Sequence, residues 1–295
     1  MKNWTENRKG VAAVFVTTIL WGLFPIYFDA LSDESSLKIL AYRIVWALPF
    51  VAAAIIALGR APSLLAAFLD RKKMLCLAAS ALCIGTNWGV YIWAVTNHQT
   101  LDVSLGYFIS PLFTLALGAV FLKERLNLRQ NAAVLLAAAG VLVLALARGG
   151  LPWVAVALPV SFGFYSLIRK LVDVDALTGF VIESLLLVPF VAPFLFDVQD
   201  NGAIPAASAS RQIMMILAGP MTAIPIMMFA YGARRIKLST LGLMQYINPG
   251  LQLCVAILIL GETLTIARAI SCALVWCGLL LYSVPKHKNR QSGSP

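Results

Sequence analysis

Tyr107-Phe108-Ile109-Ser110-Pro111, running on to Leu122-Lys123-Glu124, is answered 138 positions later by Gln245-Tyr246-Ile247-Asn248-Pro249, running on to Leu260-Gly261-Glu262. In each copy a proline stands 13 residues before a glutamate across an almost wholly apolar run, and the same offset pairs Gly140 with Gly278 and Arg148 with Lys286. Self-similarity at a fixed period marks a duplicated structural unit. Further matches flank it at slightly shifted offsets. Trp21-Gly22 answers Phe162-Gly163, the Pro49-Phe50 after Arg43 answers the Pro189-Phe190 after Glu183, and Ser104-Leu105-Gly106 answers Thr240-Leu241-Gly242.

The unit belongs in a bilayer. Of 295 residues 60% are apolar and 12% charged, at a mean hydropathy of +0.85, which is too apolar for a soluble globule. A hydrocarbon core of ~30 Å takes about 20 helical residues. Runs of that order fall at 10–30, 37–58, 74–97, 100–122, 128–147, 151–171, 177–196, 212–233, 238–260 and 265–284. No stretch alternates with period two over a strand's length, which argues against a barrel. The expected fold is an all-α integral membrane protein with ten transmembrane helices. They divide into a first five-helix repeat over 1–150 and a second over 151–295. Because five is odd, the second repeat enters the membrane upside down, giving two inverted repeats (5+5) about an axis in the membrane plane.

The formal net charge of +10 follows from topology rather than from a nucleic-acid partner. With the N-terminus inside, 18 of the 23 Lys and Arg residues fall in cytoplasmic segments and only Lys38, Arg148, Arg211 and Arg268 outside, the bias of the positive-inside rule. Both termini are therefore expected in the cytoplasm, with the basic tail from Lys286 to Pro295 anchoring topology. The first apolar run, with Trp21, Pro25 and Tyr27, is too long for a signal peptide. The five cysteines form no CxxC or zinc-like spacing, so neither disulfide, metal nor cofactor is expected. The stretch 197–211 reads as a mobile outer loop.

Polar side chains inside apolar spans are expensive and are functional candidates. Tyr107, Ser110 and Thr114 share one helical face, as do Gln245, Asn248 and Gln252 at the repeat offset. Both stripes lie near the expected midplane, beside a proline that removes a backbone hydrogen bond, and read either as a cavity wall or as interhelical glue. Asn87, Tyr91 and His98 share another face. Trp21, Tyr165 and Tyr246 are the aromatic candidates for the cavity. Arg43 and Glu183 occupy equivalent repeat positions, separated in depth by roughly 10 Å. They read as an anion-attracting group near the outer mouth and a cation- or proton-binding group near the inner one, or as locally paired structural charges. Pro49, Pro111, Pro189 and Pro249 are hinge or kink candidates. Glu124 and Glu262 read as structural, and the Gly85 to Gly89 GxxxG as a close-packing element within the bundle.

These residues resemble the EamA branch of the drug/metabolite transporter superfamily, and its RarD-type permeases in particular. The resemblance spans nearly the whole chain. It rests on Tyr42-Arg43-Ile44-Val45-Trp46, Asn87-Trp88 with Ile92-Trp93-Ala94-Val95, Ser104 to Ile109 with Pro111, Phe164-Tyr165 before Arg169-Lys170, and Ser239-Thr240-Leu241-Gly242 through Pro249. Lys123 and Tyr42 depart from the pattern, where glycine and histidine are usual, which puts a proton-relay role at position 42 in doubt. The resemblance implies a secondary carrier of the bacterial inner membrane that permeates or exports small amphiphilic metabolites, amino acids or drug-like compounds, chloramphenicol being the compound associated with the RarD name. Alternating access around Ser110 and Asn248, with proton coupling through Glu183, is the expected mechanism, and a monomer the expected unit because the duplication already supplies the two-fold. No GxxxxGK[ST] is present to drive transport by ATP in cis, and neither HExxH nor GxSxG marks an enzyme. A membrane enzyme or lipid flippase acting on a lipid-linked substrate, or a channel, is the alternative.

Overall fold

A computed structural model describes residues 2–123, 125–195, 209–236 and 238–283. Glu124, most of the 197–211 loop and the basic tail, each singled out above, lie outside the described residues. Every regular element described is helical: α1 (Lys2–Asp29), α2 (Ser36–Ala57), α3 (Ala61–Leu69), α4 (Arg71–Thr96), α5 (Thr100–Phe121), α6 (Leu128–Arg148), α7 (Trp153–Leu171), α8 (Ala176–Val191, continued by a 3-10 turn over Ala192–Leu195), α9 (Ala209–Ala233), α10 (Leu238–Gln245), α11 (Ile247–Leu258) and α12 (Ile266–Ser283). Among the described residues eight helices, α1, α2 and α4 to α9, are long and apolar enough to cross a membrane.

The sequence differs from the structure at two places. The span expected at 238–260 is broken at Tyr246 into α10 and α11. Pro249 explains the break, because its nitrogen cannot donate to the carbonyl four residues back, that of Gln245, and its ring crowds that carbonyl. The span expected at 265–284 is the 18-residue α12. The second difference is α3, a nine-residue, mostly apolar helix in a stretch where the span pattern predicts none. At 1.5 Å per residue it is about 14 Å long, too short to cross, and it packs Leu64 and Ala67 against Leu77, Val172 and Ile182.

Helix ends are set by local chemistry. Asp70 caps α4 by accepting from the Lys72 and Lys73 amides, Asn127 and Gln130 form a reciprocal capping box on α6, and α6 stops at Gly149 with φ of 68°. Asp175 caps α8 through Leu177 and Thr178 and lies 2.5 Å from an Arg60 nitrogen at the α2–α3 junction. Burial pushes the Asp175 carboxyl up, but the Thr178 hydroxyl and amide and the Arg60 guanidinium outweigh it and hold the group below its ordinary value. A depressed carboxylate stabilises the fold above its unfolded pKa, and that stability drains away as pH falls through the folded one. Asp175→Ala is therefore expected to lower the melting temperature in detergent at pH 7, with the deficit shrinking below about pH 4. A deficit that does not change with pH would remove the charge from this account.

Ion pairs gather at two ends of the bundle. At one, Asp29 meets His98, Arg211 meets Asp33 and Glu34, and Ser36 bonds Thr96. There too Glu262 accepts hydrogen bonds from the amides of Thr100 and Leu101. It therefore caps α5, a structural role. Burial pushes its carboxyl up despite those bonds. Beside it Asp102, only 1% exposed, stands 2.6 Å from Arg148 and 3.5 Å from Arg268. At the other end lie Arg60 with Asp175 and Glu6 with Arg235.

Packing runs mainly between the N-terminal and C-terminal parts of the chain: α6 on α12, α5 on α7, α2 on α9, α4 on α7, and α1 on α9 and α11. These contacts use small residues at matched positions. A Cβ on Gly140 would lie 3.1 Å from the Ser271 carbonyl oxygen, and one on Gly278 would lie 2.9 Å from that of Ala133. The two glycines are 138 residues apart, and so are Ala133 and Ser271. Likewise Gly22 abuts Leu251 and Gly163 abuts Phe113. Close approach through glycine is how membrane helices gain van der Waals contact where lipid supplies no hydrophobic drive. The Gly85 of the GxxxG behaves the same way, lying against Leu187 of α8.

Candidate functional site

Among the described residues three polar clusters bear on the site. The first surrounds Arg43 of α2, 6% exposed. Aromatic rings cover its guanidinium, with Cζ 4.7 Å from the Trp88 ring centroid and 5.7 Å from that of Phe28. Such stacking is the ordinary way a ring quadrupole holds a cation. Tyr91 packs edge-on against Phe28 and lies 6.0 Å, ring to ring, from Tyr107. The Tyr107 hydroxyl donates to Asn87 Oδ1 at 3.3 Å, and Asn87 Nδ2 donates to the Leu158 carbonyl and to Ser161 Oγ, both at 3.0 Å. The cluster thus joins α1, α2, α4 and α5 to α7. Arg43 Nε and Nη1 and the Tyr91 hydroxyl are buried without a hydrogen-bond partner. At the near end of α2 a cavity of about 340 Å³ is rimmed by Ser36, Leu37, Trp93, Thr96 and Asn97. Arg43 lies seven residues along α2 from that rim, roughly 10 Å.

The second cluster is centred on Glu183 of α8, 2% exposed. It accepts from Ser80 Oγ of α4 at 2.5 Å and from the Tyr165 hydroxyl at 3.5 Å, and lies 3.6 Å from Arg169 Nε. Arg169 reaches it from the end of α7 while its Nη2 donates to the Val174 and Asp175 carbonyls. Arg43 and Glu183 therefore sit in separate clusters. In the third, Gln252 Nε2 donates to Asn248 Oδ1 at 3.0 Å and to the Trp21 carbonyl at 3.4 Å, and the Trp21 ring rests 5.3 Å from that of Phe229.

The structure therefore gathers Arg43, Asn87, Tyr91 and Tyr107 at one place, Tyr165 and Glu183 at a second, and Trp21, Asn248 and Gln252 at a third. Ser110 and Thr114 instead donate back to their own helix, to the Gly106 and Ser110 carbonyls. Gln245 is exposed, Tyr246 packs against the buried cluster that includes Leu105 and Phe108, and His98 lies past the end of α4 in a left-handed conformation. Ser104, just ahead of the first copy of the repeated stretch, donates its hydroxyl to the Pro249 carbonyl of the second at 2.8 Å. The sequence reading missed Phe28, Ser80, Ser161 and Arg169. Ser80 was legible, because it lies seven and eleven residues before Asn87 and Tyr91 on the same face of α4.

Eight helices long and apolar enough to cross a bilayer, packed around buried polar clusters, make this a multi-pass membrane protein. Comparison with known proteins makes the class specific: the profile of the EamA-like transporter family matches residues 8–146. The chain belongs to that family and to its RarD group within the drug/metabolite transporter superfamily. It is 40% identical to an "Uncharacterized transporter" of Vibrio cholerae, over 95% of this chain and 93% of that one. It is 37% identical to "Protein RarD" of Escherichia coli, over 94% of each. It is 30% identical to the "Chloramphenicol-sensitive protein RarD" of Pseudomonas aeruginosa, over 93% of each. A solved crystal structure shares the fold at a TM-score of 0.61 with 20% identity, covering 96% of this chain and 99% of that one.

Proposed function

We propose that this transporter is a secondary carrier that moves a small amphiphilic metabolite, amino acid or drug-like compound by alternating access between two inverted five-helix halves, residues 1–150 and 151–295. The observation that carries the reading is the Arg43 cluster. A guanidinium in the bundle interior, with Nε and Nη1 unpartnered and no carboxylate paired with it among the described residues, imposes a desolvation cost of several kcal/mol that a bound substrate group would offset. The bundle's packing supports the inverted halves. Exchanging each helix for its repeat equivalent turns the α5–α7 contact into α1–α11, α4–α7 into α1–α9, and α2–α9 into α4–α8, all of which are present. Contacts between α6 and α12, α2 and α8, and α5 and α11 map onto themselves. On this reading the Arg43 cluster and the Asn248–Gln252 pair flank the path. Glu183 carries a coupling proton, the carrier acts as a monomer, and both termini face the cytoplasm.

Counterflow in proteoliposomes tests the carrier. Vesicles loaded with one unlabelled compound from a panel of amino acids and chloramphenicol are expected to show transient overshoot of its labelled counterpart. Asn248→Ala should reduce the overshoot by tenfold or more, about the effect of losing one well-placed polar contact. Glu183→Gln should keep exchange while abolishing its response to a pH gradient. Folded protein that gives no overshoot with any member would sink the small-metabolite reading and bring lipid translocation forward.

A further inference from the structure

The Arg43 cluster also specifies the charge and shape of what it binds, an inference that rests on the carrier reading because the cluster is buried and is reached only when the bundle opens to one side. We propose that Arg43 and Tyr91 form a subsite for the carboxylate of a monoanionic substrate whose body is aromatic or otherwise planar and apolar.

The hydrogen-bonding inventory gives the sign. Arg43 Nε and Nη1 are donors with no acceptor capacity, and the Tyr91 hydroxyl can donate as well. All three are buried and unpartnered, on side chains that are 6% and 3% exposed. The Asn87 Oδ1 acceptor of the network is engaged by the Tyr107 hydroxyl, and the Asn87 amide is turned to Leu158 and Ser161. Donors are thus in excess, and no carboxylate of the protein forms an ion pair with Arg43 among the described residues. A cation or a neutral donor would add to that imbalance, whereas an anion with two oxygens removes it.

The rings give the shape. Trp88 and Phe28 occupy positions over the guanidinium, so an incoming group meets its N–H edge. That edge suits a planar carboxylate, which accepts in line with the fork. A single positive charge matches a monoanion, and a phosphate dianion would bring excess charge into an apolar wall. Phe28, Trp88, Tyr91 and Tyr107 then offer ring faces and edges to whatever the carboxylate is attached to. Nothing of this kind surrounds Glu183, whose charge Arg169 already answers.

The test uses the purified full-length protein in detergent and reads thermal stability against ligand concentration. The probes are 3-phenylpropionate, its neutral amide, acetate and chloride. Phenylpropionate is expected to raise the melting temperature with an affinity about 10- to 100-fold above that of the amide, the range of a charge-assisted hydrogen bond. Acetate should bind far more weakly, since it lacks the body. Arg43→Gln should erase the acid's advantage, and Arg43→Lys should recover only part of it. Tyr91→Phe keeps the charge and the ring, so it guards against a misfolded Arg43 variant. It should weaken the acid several-fold and leave the amide unchanged. Equal binding of acid and amide, a chloride shift as large as that of phenylpropionate, undiminished acid binding in folded Arg43→Gln, or no stabilisation by any probe would each overturn the subsite. The carrier reading falls separately. Arg43-dependent binding of the acid without counterflow would retain the subsite and reject the carrier. Counterflow of neutral compounds untouched by Arg43→Gln would do the reverse.

Discussion

Replacing Asp102 with alanine is expected to destabilise the folded bundle by ~3–5 kcal/mol, the range found when one partner of a buried ion pair is removed. Asp102 is 1% exposed and faces two cations, Arg148 Nη2 at 2.6 Å and Arg268 Nε at 3.5 Å. Both of its oxygens lack an aligned hydrogen bond, so the arrangement is held by charge more than by geometry. Removing the carboxylate leaves two arginines facing each other across the α5, α6 and α12 ends. Thermal unfolding in detergent should place Asp102→Ala well below wild type, with Asp102→Asn close to it because the amide restores volume without charge. A double variant, Asp102→Ala with Arg268→Ala, should recover part of the loss. An Asp102→Asn protein as stable as wild type would show that packing, not charge, holds this corner.

The other large effect is expected at Gly219, where α9 crosses α2. A Cβ there would lie 2.2 Å from the Trp46 carbonyl carbon and 2.5 Å from its Cβ. The obstacle is backbone, which cannot rotate aside, so Gly219→Ala must push the two helices apart. Overpacking of this kind typically costs about 1–3 kcal/mol and can exceed that. The clash also bears on α2 at Trp46, three residues along the helix from Arg43. Gly250→Ala is the control, since nothing lies within 4 Å of a Cβ at that site in α11. Relieving a helical glycine there should be neutral or stabilising by up to about 1 kcal/mol. If Gly219→Ala unfolds no earlier than Gly250→Ala, the crossing is looser than the structure has it.

Much of the architecture was readable from the residues, because hydrocarbon thickness converts an apolar run directly into a helix. The runs at 37–58, 100–122 and 128–147 correspond to α2, α5 and α6 within a residue or two. The break at Tyr246 was not readable, since Pro111 stands at the matching position and α5 runs through it unbroken. The same residue type is absorbed in one copy and ends a helix in the other. The short helix α3 was missed because flanking charges at Arg60 and Asp70 through Lys73 look like a loop when span length is the only criterion.

The site was legible where burial itself is the signal. Arg43, Glu183 and Asn87 stand out because a polar group in an apolar run must have a reason. Partnerships across helices were not legible. Arg169 looked like a topology-setting loop base, yet its long side chain reaches back to Glu183. Phe28 is one apolar residue among many until the fold brings it over Arg43. Ser110 and Thr114 share a face with Tyr107, but a hydroxyl in a helix can satisfy itself on the preceding turn, and both do. Facing direction along one helix predicts neither choice.

The principal surface of α6 is matched to α12, the last helix described, through Gly140 and the Ser271 hydroxyl that donates to the Gly140 carbonyl at 2.8 Å. During synthesis more than a hundred residues separate the two. The contacts around Gly140 therefore form only after those intervening residues and α12 itself have been made. A chain truncated before α12 would never make those contacts, giving membrane quality control a simple criterion for recognising an unfinished molecule.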